Sequence, residues 1–175
     1  MEEENEQVSV KQVAVKWGLI SGIISIVLFL ITYFGGLMGD SWVGWIGPVI
    51  MIALVYLAHK EFKDQGNGFM SYGQGLGLGT LMGLVSGLVS SVFSYIYIKF
   101  INPDYLVELL DISRAQMEDS GQGEDQIEVA MEMVEKFMSA EMTAGMSLLG
   151  AVFIGFVVAL IVSAITKNND PSLEV

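Results

Sequence analysis

Hydrolytic chemistry on serine needs a hydroxyl beside a base, and the serines most suggestive by sequence are Ser21 and Ser86, each followed by glycine. The one histidine, His59, belongs to His59-Lys60-Glu61-Phe62-Lys63. That mixed-charge stretch reads as a solvated turn rather than a base inside the bilayer. Serine within an apolar helix ordinarily donates to the carbonyl one turn earlier, so catalysis by Ser86 is not expected. The glycines of Gly73-Gln74-Gly75-Leu76-Gly77-Leu78-Gly79 satisfy neither G-x-G-x-x-G nor G-x-x-x-x-G-K-[ST], which rejects a phosphate cradle. Eleven Asp and Glu lie between Lys99 and Thr143, without the D-x-D-x-D-G spacing of a calcium loop, and cysteine is absent. No metal or cofactor site is therefore predicted, and the chain is expected not to be an enzyme. One polar file remains: Ser86, Ser90 and Ser94, with Thr80, are the residues that could line a passive pore.

The elements that must position these residues are unusually apolar. Of 175 residues, 53% are hydrophobic and 16% charged, with a net charge of −12; soluble domains carry roughly a quarter charged residues. Four stretches contain no charged residue or histidine: Trp17–Gly39, Ser41–Ala58, Gln65–Ile98 and Met142–Thr166. Each is close to or beyond the ~18 residues of a spanning-helix candidate, and none shows the alternation of a barrel strand. The spans read as Trp17–Leu37, Trp42–Ala58, Tyr72–Ile98 and Thr143–Ile165, in a bilayer that admits only internally hydrogen-bonded backbone. The acidic start and long first run predict a retained span rather than a cleaved leader. Lys11, Lys16, Lys60, Lys63 and Lys167 fall on one side and Lys99, Arg114 and Lys136 on the other, which predicts both termini in the cytoplasm. No basic patch suggests nucleic acid, and no ionisable group sits within a span to couple an ion.

The expected division of the chain is a cytoplasmic acidic segment (1–16), three spans (17–98), an extracytoplasmic acidic helical hairpin (99–143), and the fourth span with a short tail (144–175). The hairpin segment holds three cations against its eleven acids. Asn102-Pro103 reads as a helix N-cap followed by proline at the first helical position. Leu106, Leu109, Leu110, Ser113 and Met117 then share one face, Ser120–Gly123 breaks the helix, and Ile127, Met131, Val134 and Met138 mark a second apolar face. Two such helices can cover each other, lie on the membrane or grip a partner.

Small residues form the most specific pattern. Gly75, Gly79, Gly83 and Gly87 recur every four residues in the third span, and Ser147, Ala151, Gly155 and Ala159 do so in the fourth, continued by Ser163. Small residues at this spacing let helices approach closely in lipid, so spans three and four are expected to pack together. A second regularity is Gly18–Val27 (GLISGIISIV) against Gly83–Val92 (GLVSGLVSSV), six of ten identical at an offset of 65 residues. A parallel duplication of a two-span hairpin and a chance likeness of packing helices both account for it.

From Gly68-Phe69-Met70-Ser71-Tyr72-Gly73-Gln74-Gly75, through the glycine ladder to Tyr95–Pro103, the sequence resembles a family of small bacterial membrane proteins catalogued as domain of unknown function 4199. The resemblance runs from the first span to the end of the fourth. It implies a four-span protein of the bacterial inner (plasma) membrane and supplies no activity, cofactor or catalytic residue. The expected fold is thus an all-α integral membrane protein with four transmembrane helices, as two duplicated hairpins on one reading. The expected role is a non-enzymatic assembly or scaffolding subunit in the lipid bilayer, forming a homo-oligomer or holding an extracytoplasmic protein partner through the outer hairpin. The alternatives are a small-solute transporter or channel and, behind it, a lipid-modifying enzyme using His59 or the outer carboxylates.

Overall fold

The computed structural model describes residues 8–171; Glu2, Glu3, Glu4 and Glu6 of the acidic start lie outside the described residues. Six α-helices follow one another: α1 (Val10–Phe34), α2 (Val43–Gln65), α3 (Tyr72–Ile96), α4 (Tyr105–Asp119), α5 (Glu124–Phe137) and α6 (Ala140–Thr166), with a π-helical turn at Tyr97–Ile101. α1, α2, α3 with its π turn, and α6 are long and apolar enough to cross a membrane. The chain is an all-α membrane protein with four spanning helices.

The helix ends follow local chemistry. Ser9 caps α1 by accepting from the Lys11 amide at 3.3 Å, which starts the helix two turns before the charge-free run. Ser71 and Gln74 form a reciprocal capping box on α3, with the Gln74 amide donating to Ser71 Oγ at 3.2 Å and the Ser71 amide to Gln74 Oε1 at 2.8 Å. Gly121, at φ +76°, makes the turn between α4 and α5, a conformation only glycine adopts without strain. Ser139 caps α6.

One expected start is displaced. The third span runs past Ile98 into the π turn, and α4 begins at Tyr105 behind Asp104 rather than behind Asn102. A residue before proline is steered out of the helical region, and Asn102 sits at φ −137°, ψ 86°, closing the π turn instead of opening α4.

α3 is the central helix, packed most extensively against α6 and then α1; α2 closes the other side against α6 and α1. One end of the bundle gathers the start of α1, the end of α2, the start of α3 and the end of α6. There the Met70–Asn168 bridge, with backbone hydrogen bonds of 2.8 and 2.9 Å, is the one β pairing among the described residues. One apolar core, including Val55, Leu78 and Met82, fills this half; a second, around Tyr97 and Tyr105, lies at the hairpin end.

Candidate functional site

The glycine ladder faces α6. A β-carbon on Gly79 would stand 2.6 Å from Ala159 Cβ, and one on Gly83 2.7 Å from the Ala151 carbonyl oxygen and 3.0 Å from Gly155 Cα. A β-carbon on Gly155 would in return stand 2.8 Å from Gly83 Cα. The two backbones therefore touch at the centre of the seam, an approach that only small residues allow. At the ends of the ladder, Gly75 meets Ser163, while Gly87 meets Leu148 and Ala151. Ser147 turns its hydroxyl back to the Ala144 carbonyl at 2.8 Å.

The serines of the polar file are placed differently from one another. Ser86 is buried and donates to Ser21 Oγ at 3.2 Å, across the α1–α3 contact. Ser90 donates to its own helix, at the Ser86 carbonyl, over 2.7 Å, as Ser25 does to Ser21 over 2.9 Å. Ser94 is half-buried. Thr80 returns its proton to Leu76. Ser21 and Ser86, equivalent across the 65-residue offset, are thus direct partners, and Ser25 and Ser90 repeat one local hydrogen bond.

His59 is where sequence reasoning erred. It is fully buried, not part of a solvated turn, because α2 continues to Gln65 and carries it into the bundle against α3 and α6. Its Nδ1 lies 2.8 Å from Thr166 Oγ1 and its Nε2 3.0 Å from the Gly75 carbonyl oxygen. That carbonyl only accepts, so Nε2 carries a proton. The Thr166 hydroxyl has two outlets, Nδ1 and the Val162 carbonyl at 2.8 Å. The imidazole ties three helices together at once. Beside it, Lys63 donates to the Thr166 carbonyl at 3.1 Å, and Ser163 Oγ is buried with no hydrogen-bond partner among the described residues. The glycine at 75 and the early serine cap of α3 were the available signals; both belong to a helix start that a buried side chain could reach.

The neighbouring surface holds a second polar cluster. Glu61 accepts from Lys16 Nζ at 2.8 Å, Trp17 Nε1 at 3.0 Å and Gln65 Nε2 at 3.1 Å, fastening α1 to α2. A cleft of about 340 Å³ lined by Val8, Gln12, Val13, Lys16, Glu61 and Gln65 opens beside it.

At the opposite end, Phe29, Tyr33, Phe93, Tyr97 and Tyr105 interlock, with Phe29 ring centroids 5.1 Å from Tyr97 and 5.6 Å from Tyr105. The Tyr33 hydroxyl donates to Glu108 at 2.8 Å and accepts from Asn102 Nδ2 at 2.6 Å. Burial, with Tyr97 and Glu108 nearby, pushes the Tyr105 phenol up to about 12, which keeps it uncharged. Gln116 Nε2 reaches the Gly39 carbonyl at 3.2 Å, so the last turns of α4 are tied to the α1–α2 turn. Lys99 pairs with Glu141 at 3.2 Å where α3 and α6 meet the hairpin. α5 packs chiefly on α4, burying Ile127. Its acids form no cluster able to hold a metal among the described residues.

Comparison with known proteins agrees with this architecture in extent. The profile of the family described as "Protein of unknown function (DUF4199)" matches residues 16–168, all four spans and the hairpin between them. No curated protein and no solved structure matches the chain.

Proposed function

The chain belongs to this family, and on that premise we propose that it is a non-enzymatic assembly or scaffolding subunit of the bacterial inner membrane, both termini cytoplasmic, whose acidic outer hairpin holds an extracytoplasmic partner. The observation that carries this reading is how the polar groups of the bundle are used. Ser21, Ser86, His59 and Thr166 join helices to one another, and Ser25, Thr80 and Ser90 bond to their own helices. The hairpin, in contrast, presents Glu124, Asp125, Glu128, Glu132 and Glu135 to solvent. Self-association fits the same picture, since Gly73 and Gly77 face open space on α3.

The test is photo-crosslinking from the acidic face of α5 in native membranes, with the adducts identified by mass. A discrete protein adduct at Glu128 or Glu135 is expected; lipid-only adducts at both positions overturn the reading. The transporter alternative rests on Ser86, Ser90 and Ser94 and predicts solute flux into proteoliposomes that is lost on their replacement by alanine. Flux no greater than in empty vesicles removes it.

A further inference from the structure

The apolar arc of α5 is wider than α4 covers. Ile127, Ala130, Met131 and Val134 are buried or half-buried, and α5 packs chiefly on α4. Next to them, at one-turn intervals, Val129, Met133 and Phe137 are 62%, 59% and 64% exposed. Residues four apart stack on one helix face, so these three form a continuous stripe. Glu124, Asp125, Glu128, Glu132, Glu135 and Lys136 occupy the remaining arc. No described residue covers this stripe.

We infer that α5 lies along the outer bilayer surface with Val129, Met133 and Phe137 sunk into the boundary between headgroups and acyl chains. Three observations favour lipid as the occupant. First, the stripe lies next in sequence to a helix long and apolar enough to cross the membrane. Only Met138 and Ser139 separate Phe137 from α6, whose outward residues Met146, Leu149 and Phe153 are similarly bare, at 62%, 65% and 65%. Second, the tether is short. α6 spans 27 residues, about 40 Å at ~1.5 Å each, so with a ~30 Å hydrocarbon core its first turns stand in the headgroup layer. The C-terminal end of α5 cannot leave that layer. Third, the hairpin does not stand up into water. α4 is bound to the bundle at Tyr105, to Tyr33 through Glu108, and to Gly39 through Gln116, contacts spread over about 16 Å of helix. It therefore runs across the top of the bundle and holds α5 beside it at membrane level. The exposed Phe100 and Ile101 of the π turn belong to the same boundary layer, where aromatic side chains are at home.

An apolar stripe opposite a charged arc is the pattern of a helix lying in the interface. Its arc is acidic rather than basic, so apolar burial alone supplies the attraction. The lipid it suits is zwitterionic, and anionic lipid weakens the contact. Seated this way, α5 turns its carboxylates outward. The inference needs only the membrane setting and stands whether or not a protein partner exists.

The chain has no cysteine, so single cysteines report without interference. Nitroxide labels on Met133→Cys and Phe137→Cys are compared, in phosphatidylcholine bilayers, with Leu149→Cys in the span and Glu128→Cys on the acidic arc. All sites chosen are exposed, and each variant is required to elute in detergent as the unaltered protein does. At Met133 and Phe137 collisions with dissolved oxygen are expected to exceed those with a water-soluble nickel chelate severalfold, as at Leu149, with the order reversed at Glu128. Chelate access at Met133 equal to that at Glu128 overturns the inference by placing the stripe in water. Labels shielded from both reagents overturn it by placing the stripe under protein, and dipolar coupling between labels then identifies a second copy of the chain. Whichever result appears, the adducts from the acidic arc report separately on the scaffold reading.

Discussion

Two similar ten-residue segments, identical at six positions, sit in α1 and α3 and meet two different surfaces. In α1, β-carbons on Gly18 and Gly22 would strike Val85 Cβ at 2.6 Å and Val89 Cβ at 2.7 Å: glycine is the hole, and a side chain of α3 is the knob. In α3 the equivalent Gly83 and Gly87 turn away from α1 toward α6, where Gly83 meets a carbonyl oxygen and a Cα. Were the two hairpins packed by an exact twofold rule, Gly83 would receive Ile20, the counterpart of Val85. It receives backbone instead. A motif of small residues thus specifies closeness without specifying what comes close, and the partner decides how much change the contact tolerates.

The largest consequence falls on the α3–α6 seam. Gly83→Ile places a branched side chain against atoms that no rotamer change can move. Overpacking ordinarily costs about 1–3 kcal/mol, and more where neighbours cannot yield; here the expectation is loss of the native bundle, seen as aggregation or altered oligomer size in detergent. A Gly83→Ile protein with unchanged size and unfolding midpoint would show that α6 does not rest on this glycine.

The α1–α3 contact should break more gently and be repairable. Gly22→Ala is expected to cost about 1–3 kcal/mol, read as a lower midpoint in a denaturing-detergent titration. Adding Val89→Gly exchanges knob and hole across the interface, so the double variant should recover part of the loss. No single substitution offers the same repair at Gly83, whose obstacles are Ala151's carbonyl and Gly155's Cα. Additive damage in the Gly22→Ala, Val89→Gly pair would mean that the two residues do not share one contact.

Why the spans and the seam were readable while the polar end was not follows from what each depends on. Charge-free length and i, i+4 spacing are properties of one helix, and lipid leaves a helix few alternatives. His59 depends on three helices at once. Its sequence neighbours are charged, and only the prolongation of α2 to Gln65, with Gly75 bare enough to admit Ser163, brings the ring between α3 and α6. Asn102 failed similarly: a favoured capping residue was claimed by the π turn and by Tyr33, which is 69 residues away in sequence. The pairing of Ser21 with Ser86 was hidden until the repeat was seen as a contact rather than a likeness.

The smallest expected effect gives the comparison its control. Gly77 stands within the same helix and the same run of glycines as Gly75 and Gly79, yet a β-carbon there would meet nothing within 4 Å. Helix propensity alone then acts, and it favours alanine over glycine by about 1 kcal/mol in water. Gly77→Ala should therefore leave the bundle unharmed or slightly stabilise it, with the denaturation midpoint unchanged or raised. If Gly77→Ala instead damages the protein as Gly83→Ile does, the open face of α3 is occupied in the membrane. Glycine would then be serving a contact with a second copy of the chain, and a shift in oligomer size in detergent would accompany the loss. Opposite outcomes at two glycines six residues apart separate packing within one chain from packing between chains, which the spacing of the ladder by itself does not.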